Sequence, residues 1–542
     1  NRPNEVEVLF KIIENEKVKV RKVFFTGNRE YSSGDLKKVM ATGEGHMFSW
    51  ATGSGTYIED FFNRDLSLLA YYYGNEGYIQ AKIAKPRVTL SQDKRYIDIL
   101  IPVSEGNQFK MRSIRFEGDV DEFSEEELVE SFPIKSGEIF SSGKLQEGLV
   151  SLSDKYGDKG YAFANIIPNP QIDGENKEVD LLINIEKGQK VYWGRVSISG
   201  NTKTHDKVIR RELLFSEGEL YSSTKRKKSL NRIKRLGYFG PDVNFLTSTP
   251  KGRSQTLDLE IQVKEKPTGT LNISAGYGSA SRFVFGANVG QNNFLGQGYK
   301  LKFNLNIASQ EALNFNLYLE DPKFLDSEWF VGLDLRFDKR RIGPPDSRNF
   351  TYSQRTQGGS VRVGRELWED TFIFSRYRFE RRELKEAISD DIFTSDDDKD
   401  SIISSVSLDM EYDTRNNRLD PSDGLYLSAS TEWGGIGGRV FQKFGASARY
   451  YERLFWKFVF RTNLEFGYVG NFLTGESPPD SERYLMGGIF SLRGYDTGTV
   501  GSNREVTDTR NDPSTGTRRF FIGGTKKVLF NSELEFPLIP EA

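Results

Sequence analysis

Few residues in this sequence are of a type and spacing that could do covalent or metal chemistry. It holds two histidines, His46 and His205, far apart, and no cysteine. No thiolate and no second imidazole therefore stands at ligand spacing, and no metal site is expected. A Gly-x-Ser-x-Gly elbow and a Gly-Lys-Ser/Thr phosphate loop are both missing, which points away from a fused hydrolase and from nucleotide-driven chemistry. The chain is read as a non-enzyme without a cofactor.

What remains is charge. Arg493 sits in a glycine-rich run from Met486 to Gly501 that also carries Ile489, Phe490, Leu492, Gly494 and Tyr495. Such a long connection with packing side chains is functional more readily than disordered. A second cluster is basic: Lys225, Arg226, Lys227 and Lys228, continued by Arg232, Lys234 and Arg235. It reads as a solvated helix face or as a surface for acidic partners or lipid phosphates. The acidic run Asp396 to Asp400 reads as a solvated loop. Overall charge is −2, so the simple electrostatic argument for a nucleic-acid partner fails.

Mean hydropathy is negative, and no stretch approaches the roughly 18 consecutive apolar residues of a membrane helix. A membrane β-strand escapes that test, because only every second residue of about 9–11 need be apolar.

The elements that position these residues divide into two halves. In the first, three alternating segments each end in Gly-Asn or Gly-Asp: Val18 to Asn28, Phe109 to Asp119 and Val191 to Asn201. Each is followed by two helical patterns, then Gly-Tyr (Gly77-Tyr78, Gly160-Tyr161, Gly237-Tyr238), then a closing strand (Ile97 to Val103, Val179 to Ile185, Leu257 to Val263). The unit is β-α-α-β-β, a small sheet with two helices on one face. Taken alone, the repeat also fits unrelated ferredoxin-like modules. Val6 to Asn15 matches the closing strands, so residues 1–15 read as the end of a truncated upstream unit. Further units are expected at 16–106, 107–188 and 189–266, and at least one more repeat and any targeting signal upstream.

From 267 to 542 the pattern is strand-like. Val406, Leu408, Met410 and Tyr412 alternate with Ser407, Asp409, Glu411 and Asp413, and about twelve such segments are joined by connections that alternate between short and long, as in an outer-membrane barrel. A water-facing sandwich would alternate too, in shorter strands. Trp329, Trp368 and Trp456 lie beside short turns, as an interfacial girdle or as ordinary packing.

The three units resemble POTRA (polypeptide-transport-associated) domains. With Asn293-Phe294-Leu295-Gly296-Gln297-Gly298, Asp321-Pro322, Asp413-Thr414-Arg415-Asn416-Asn417 and Leu492-Arg493-Gly494-Tyr495, the chain resembles the BamA-type family of outer-membrane assembly factors. That resemblance implies α+β POTRA repeats followed by an antiparallel transmembrane β-barrel of ~16 strands, so the closing strands are expected to be missing from this sequence. It implies an insertase that receives unfolded outer-membrane proteins through periplasmic repeats and releases them through a lateral seam. The seam is expected at the first barrel strand, which Gly276 and Gly278 weaken. Accessory periplasmic lipoproteins and outer-membrane lipid are the other implied partners. A TamA-like assembly factor and a two-partner-type secretion channel share the architecture; the partial upstream unit disfavours both. Arg493 reads as a lumenal strut or as a surface-loop arginine. Asn531, Glu533 and Glu535 share the lumenal parity, and the resemblance favours Glu535 as its partner. A buried pair of that kind would cost about 3–5 kcal/mol to break.

Overall fold

The computed structural model describes residues 18–45, 55–92, 95–278, 282–308, 312–342, 352–385, 399–418, 420–455, 457–489, 491–507 and 517–536. The strand expected within residues 1–15, His46, Asp396 to Asp398, Trp456 and Phe490 lie outside them.

The repeated pattern folds three times. The first unit runs β1 (Lys19–Thr26), α1 (Ser33–Val39), α2 (Glu59–Asn75), β2 (Lys82–Ile83), β3 (Arg87–Leu90) and β4 (Tyr96–Ser104). The second runs β5 (Lys110–Gly118), α3 (Glu125–Glu130), α4 (Ser142–Asp158), β6 (Asn165–Asp173) and β7 (Glu178–Glu186). The third runs β8 (Tyr192–Ser199), α5 (Asp206–Arg210), α6 (Ser223–Arg235), β9 (Asn244–Ser248) and β10 (Thr256–Gln262). In each, the closing strand pairs in parallel with the opening one and antiparallel with a middle strand. The closing strands bury every second residue against the helices: Ile97, Ile99 and Ile101; Val179, Leu181 and Ile183; Leu257, Leu259 and Ile261. The Gly-Tyr pairs act as the pattern predicts. Gly77, Gly160 and Gly237 take positive φ after the second helix, and Tyr78, Tyr161 and Tyr238 are buried.

Two recurrent features were not visible in the pattern. Each opening strand has a bulge answered by an aspartate of the closing strand: Arg21 pairs with Asp98, Arg112 with Asp180, and the Arg195 amide donates to Asp258 at 2.8 Å. Successive repeats are also hydrogen-bonded end to end. Asn75, at the end of α2, accepts from the Gly143 amide in the first turn of α4 at 2.7 Å. Asp158, at the end of α4, accepts from the Thr224 amide at 2.9 Å and the Ser222 hydroxyl at 2.7 Å at the start of α6. Burial works against the Asp158 carboxylate, but these bonds outweigh it and hold its pKa low. The middle strand of the second repeat is an edge strand that carries Pro168 and Pro170 in the ladder opposite Ile183 and Leu181.

Glu105 and Glu265, just past the closing strands, clamp the loop after the opening strand. Glu105 accepts from the Arg29 and Glu30 amides at 2.8 and 3.1 Å; Glu265 accepts from the Thr204 amide at 2.7 Å and the Thr202 hydroxyl at 2.7 Å. For both, burial raises the pKa, yet the hydrogen bonds prevail and leave it below the usual glutamate value. A depressed carboxyl stabilises fully above its unfolded pKa and loses that contribution as pH falls through the folded one. Acidification through that window is expected to lower the protection factors, measured against the intrinsic exchange rate at each pH, of the Arg29, Glu30, Lys203 and Thr204 amides of the intact protein.

The second half is a sheet of 12 antiparallel strands. In order they are β11 (Gly269–Gly278), β12 (Arg282–Phe294), β13 (Tyr299–Ala308), β14 (Ala312–Asp321), β15 (Trp329–Ile342), β16 (Tyr352–Trp368), β17 (Thr371–Lys385), β18 (Asp400–Asp413), β19 (Gly424–Gly434), β20 (Phe441–Arg453) and β21 (Val459–Gly470). A hairpin, β22 (Asn503–Thr507) and β23 (Thr517–Phe521), intervenes before the twelfth member, β24 (Lys526–Glu535). The sheet is open: β11 and β24 are its two ends and do not pair with one another among the described residues. Alternation assigns the faces. Leu333, Leu335, Val361, Val363, Tyr377, Phe379, Leu408, Met410 and Phe466 are exposed on the outer side, the face a lipid phase would cover. Arg336, Arg378, Asp409, Glu432 and Glu465 line a polar cavity of about 410 Å³ on the inner side. No helix among the described residues is long and apolar enough to cross a membrane.

Candidate functional site

Two places bring the distinctive residues together: the connection between β21 and β24, and the joint between the third repeat and the sheet. The connection lies against the inner wall. Tyr484 and Gly524 exchange backbone hydrogen bonds at 2.9 Å, and Met486 and Val500 do so at 3.1 and 2.9 Å, which zips the two arms of the segment together. Beyond them Gly487 and Gly488 take positive φ, and Ser491 locks the turn by accepting from the Gly487 amide at 2.8 Å and donating to its carbonyl at 2.9 Å. This turn presents Leu492, Arg493, Gly494 and Tyr495. The ring of Tyr484 rests against the wall where Gly467 leaves room; a Cβ there would stand 2.6 Å from the ring carbon Cζ.

Arg493 reaches β24, but its partner differs from the one the resemblance favoured. Its Nη2 lies 2.6 Å from Glu533 Oε1. Glu535, two residues on, is instead held at 2.5 Å by Arg461 of β21, whose register partner is Glu533. The Arg493–Glu533 pair is also not buried: the side chains are 69% and 39% exposed. Exposed pairs contribute about 0–1 kcal/mol, so the larger cost expected of a buried strut does not apply. Arg493→Ala is expected to change thermal stability by no more than about 1 kcal/mol, read as the temperature at which folded, fast-migrating protein disappears from a gel.

The segment's first turn is held differently. Glu482, in the 3-10 turn Asp480–Glu482, is 3% exposed. It sits among Arg378 (3.3 Å), Arg382 (3.2 Å) and Lys443 (3.4 Å). Nothing in the alternation marks Glu482, which lies between strands.

The joint to the repeats is built from two short turns. In the first, the Gly296 carbonyl accepts from the His205 amide at 3.0 Å, Asn293 donates to the Thr204 hydroxyl at 2.9 Å, and Tyr238 donates to the Gly298 carbonyl at 3.3 Å. In the second, Asp326 meets Arg211 at 3.5 Å. Beside them Glu212 is buried, and that burial raises its pKa. Among the described residues no group of three His, Cys, Asp or Glu side chains stands together as a metal site; His205 serves at the start of α5 and contacts Gln297 at 3.2 Å.

The basic helix is α6, and part of its charge is used within the arm. Lys225 pairs with Glu219 at 3.2 Å, Lys227 reaches back to Asp154 of the second repeat at 2.7 Å, and Arg226 donates to the Phe245 carbonyl at 3.3 Å. Lys228, Lys234 and Arg235 are exposed, and Arg232 is half-buried. Gly276 and Gly278 pair in unbroken register with Val284 and Arg282 of β12; the other edge of β11 has no strand partner among the described residues.

Comparisons with known proteins agree with this architecture. Residues 18–106, 109–188 and 191–266 match the POTRA family, described as a surface antigen variable number repeat. Residues 293–542 match the Omp85 superfamily domain. The chain is 27% identical to the outer membrane protein assembly factor BamA of Neisseria meningitidis, over 99% of this chain and 68% of that protein. It is 28% identical to the BamA of Nitratidesulfovibrio vulgaris, over 98% of this chain and 65% of that protein. It thus spans about two thirds of the length of these relatives. A crystal structure of BamA from Haemophilus ducreyi lacking POTRA domains 1–3 has the same fold, with a TM-score of 0.60 at 22% identity over 80% of this chain and 84% of that one. The chain thus carries three POTRA repeats running directly into an Omp85 superfamily domain, and over nearly its whole length it is similar to BamA assembly factors.

Proposed function

We propose that the protein works in a bacterial outer membrane, with its repeats in the periplasm, and assists unfolded β-barrel proteins to fold and insert. The supporting observation is the continuity of two kinds of strand edge. Among the described residues, small sheets with unpaired end strands in the POTRA arm lead, through a hydrogen-bonded joint, to a one-sided sheet whose first strand, β11, is itself an end strand. An extended client adds to such an edge through backbone hydrogen bonds, with little demand on its sequence. No nucleotide is needed, because burying the client's apolar face in lipid supplies the driving force. Gly276 and Gly278 place no side chain beyond the backbone on β11, so its pairing across the seam is weak and the seam opens sideways. The exposed cations Lys228, Lys234 and Arg235 offer acidic accessory lipoproteins or lipid phosphates a docking face.

These 542 residues hold no cysteine, so an engineered pair within them meets no competing thiol of this segment. A disulfide engineered between β11 and the closing strand of the full-length protein in liposomes is expected to abolish folding of an added urea-unfolded barrel client, and reduction to restore it. Insertion that proceeds with the seam locked would overturn the lateral route. Ion conductance without any client folding would make the protein a pore.

A further inference from the structure

The inner wall gathers several cations around a few buried carboxylates at one place. Arg336 on β15, Arg378 and Arg382 on β17, and Lys443 on β20 converge there with Glu380 and Glu432. Glu380 is 2% exposed and meets Arg336 at 2.9 Å, Arg382 at 3.2 Å and Arg378 at 3.6 Å. Glu432 takes Arg378 at 2.6 Å and a hydrogen bond from Ser405 at 2.6 Å. Asp409 and Glu465 line the same cavity, and one further carboxylate, Glu482, comes from the loop and stands directly against Arg378, Arg382 and Lys443. Arg378 and Arg382, 15% and 10% exposed at their side chains, are far enough from water to need counter-ions.

We propose that Glu482 is the positioning residue that seats the lumenal loop, and that Arg493 is a second, weaker point of attachment. The two contacts differ in environment. Glu482 is enclosed by three cations, whereas the Arg493–Glu533 pair lies open to water. Glu482 also precedes Tyr484, whose ring fills the space over Gly467, so charge and shape fix the same three residues. With the root pinned there, the turn bearing Leu492 to Tyr495 is able to leave β24 and return without the loop leaving the lumen. The inference deepens the insertase reading, but its readouts involve no client, so the failure of one is distinguishable from the failure of the other.

The test uses the full-length protein in planar bilayers and liposomes. Glu482→Gln keeps the shape and removes the charge; Glu482→Asp keeps the charge. Ion conductance and the rate of tryptic cleavage after Arg493 are measured on protein that still migrates as a folded barrel. Glu482→Gln is expected to raise both by about tenfold, since cleavage follows the population of the unseated loop, while Glu482→Asp stays near wild type. Lys443→Gln weakens the same seat without stranding a carboxylate among the arginines, and serves if Glu482→Gln does not fold; it is expected to give an intermediate increase. Wild-type conductance and cleavage in Glu482→Gln, or in Lys443→Gln should the former not fold, would overturn the proposal. So would an Asp variant as open as the Gln variant, which would make shape and not charge the determinant.

Discussion

Arg378→Ala is expected to destabilise the folded barrel by about 3–5 kcal/mol, the usual cost of removing one partner from a buried charge network. Arg378 touches Glu380, Glu432 and Glu482; the side chains of Arg378, Glu380 and Glu482 are 15%, 3% and 4% exposed. Truncation leaves these carboxylates packed together with one fewer cation. Arg378→Lys keeps the charge but loses the planar fork that serves several acceptors at once, so an intermediate loss is expected. Arg340→Ala is the matched control. Arg340 has the same inward parity, but it is 59% exposed and stands 3.7 Å from Asp338, and it is expected to stay within about 0.5 kcal/mol of wild type. Thermal melting in detergent separates the three. Equal melting of Arg378→Ala and wild type would mean that the network contributes nothing to the fold.

Gly296→Val is expected to uncouple the arm from the sheet without unfolding either. Gly296 takes φ +69°, and a Cβ there would lie 2.1 Å from the Lys203 carbonyl oxygen of the third repeat. Positive φ costs a β-branched residue about 1–3 kcal/mol. The clash with backbone cannot be relieved by turning a side chain, so the turn must back away and break the His205–Gly296 hydrogen bond. Gly252→Val is the control, with φ +79° and nothing within 4 Å; it carries the backbone cost alone. Spin labels on α6 and β13 should report a broadened distance distribution for Gly296→Val and an unchanged one for Gly252→Val, with both variants keeping wild-type melting of the barrel.

Periodicity is a local property, and what depended on it was legible. Val406 to Asp413 reads as one apolar and one acidic face, and in the structure Leu408 and Met410 are exposed outside while Asp409 lines the inner cavity. The three Gly-Tyr pairs were likewise legible, because the glycine and the buried ring both belong to one helix end. Contacts made across long separations were not. The choice between Glu533 and Glu535 depends on how far the loop descends and on Arg461 occupying Glu535, and alternation gives both glutamates the same parity. Glu482 belongs to no period, so only the cations that surround it reveal its role. The joints Asn75–Gly143 and Asp158–Thr224 were hidden for the same reason, since each links two units that the repeat pattern treats separately.

The two prolines of β6 have a consequence for traffic along the arm. Proline stays within a ladder only where its nitrogen faces away from the partner strand, so Pro168 and Pro170 leave the free edge of the second repeat without donors at two successive outward positions. An incoming strand would find acceptors there but nothing to answer its own carbonyls. The edge strands on either side, β3 and β9, carry no proline. On the proposed reading, a client strand would add less readily at β6 than at β3 or β9, while β5, the other end of the same sheet, carries no proline.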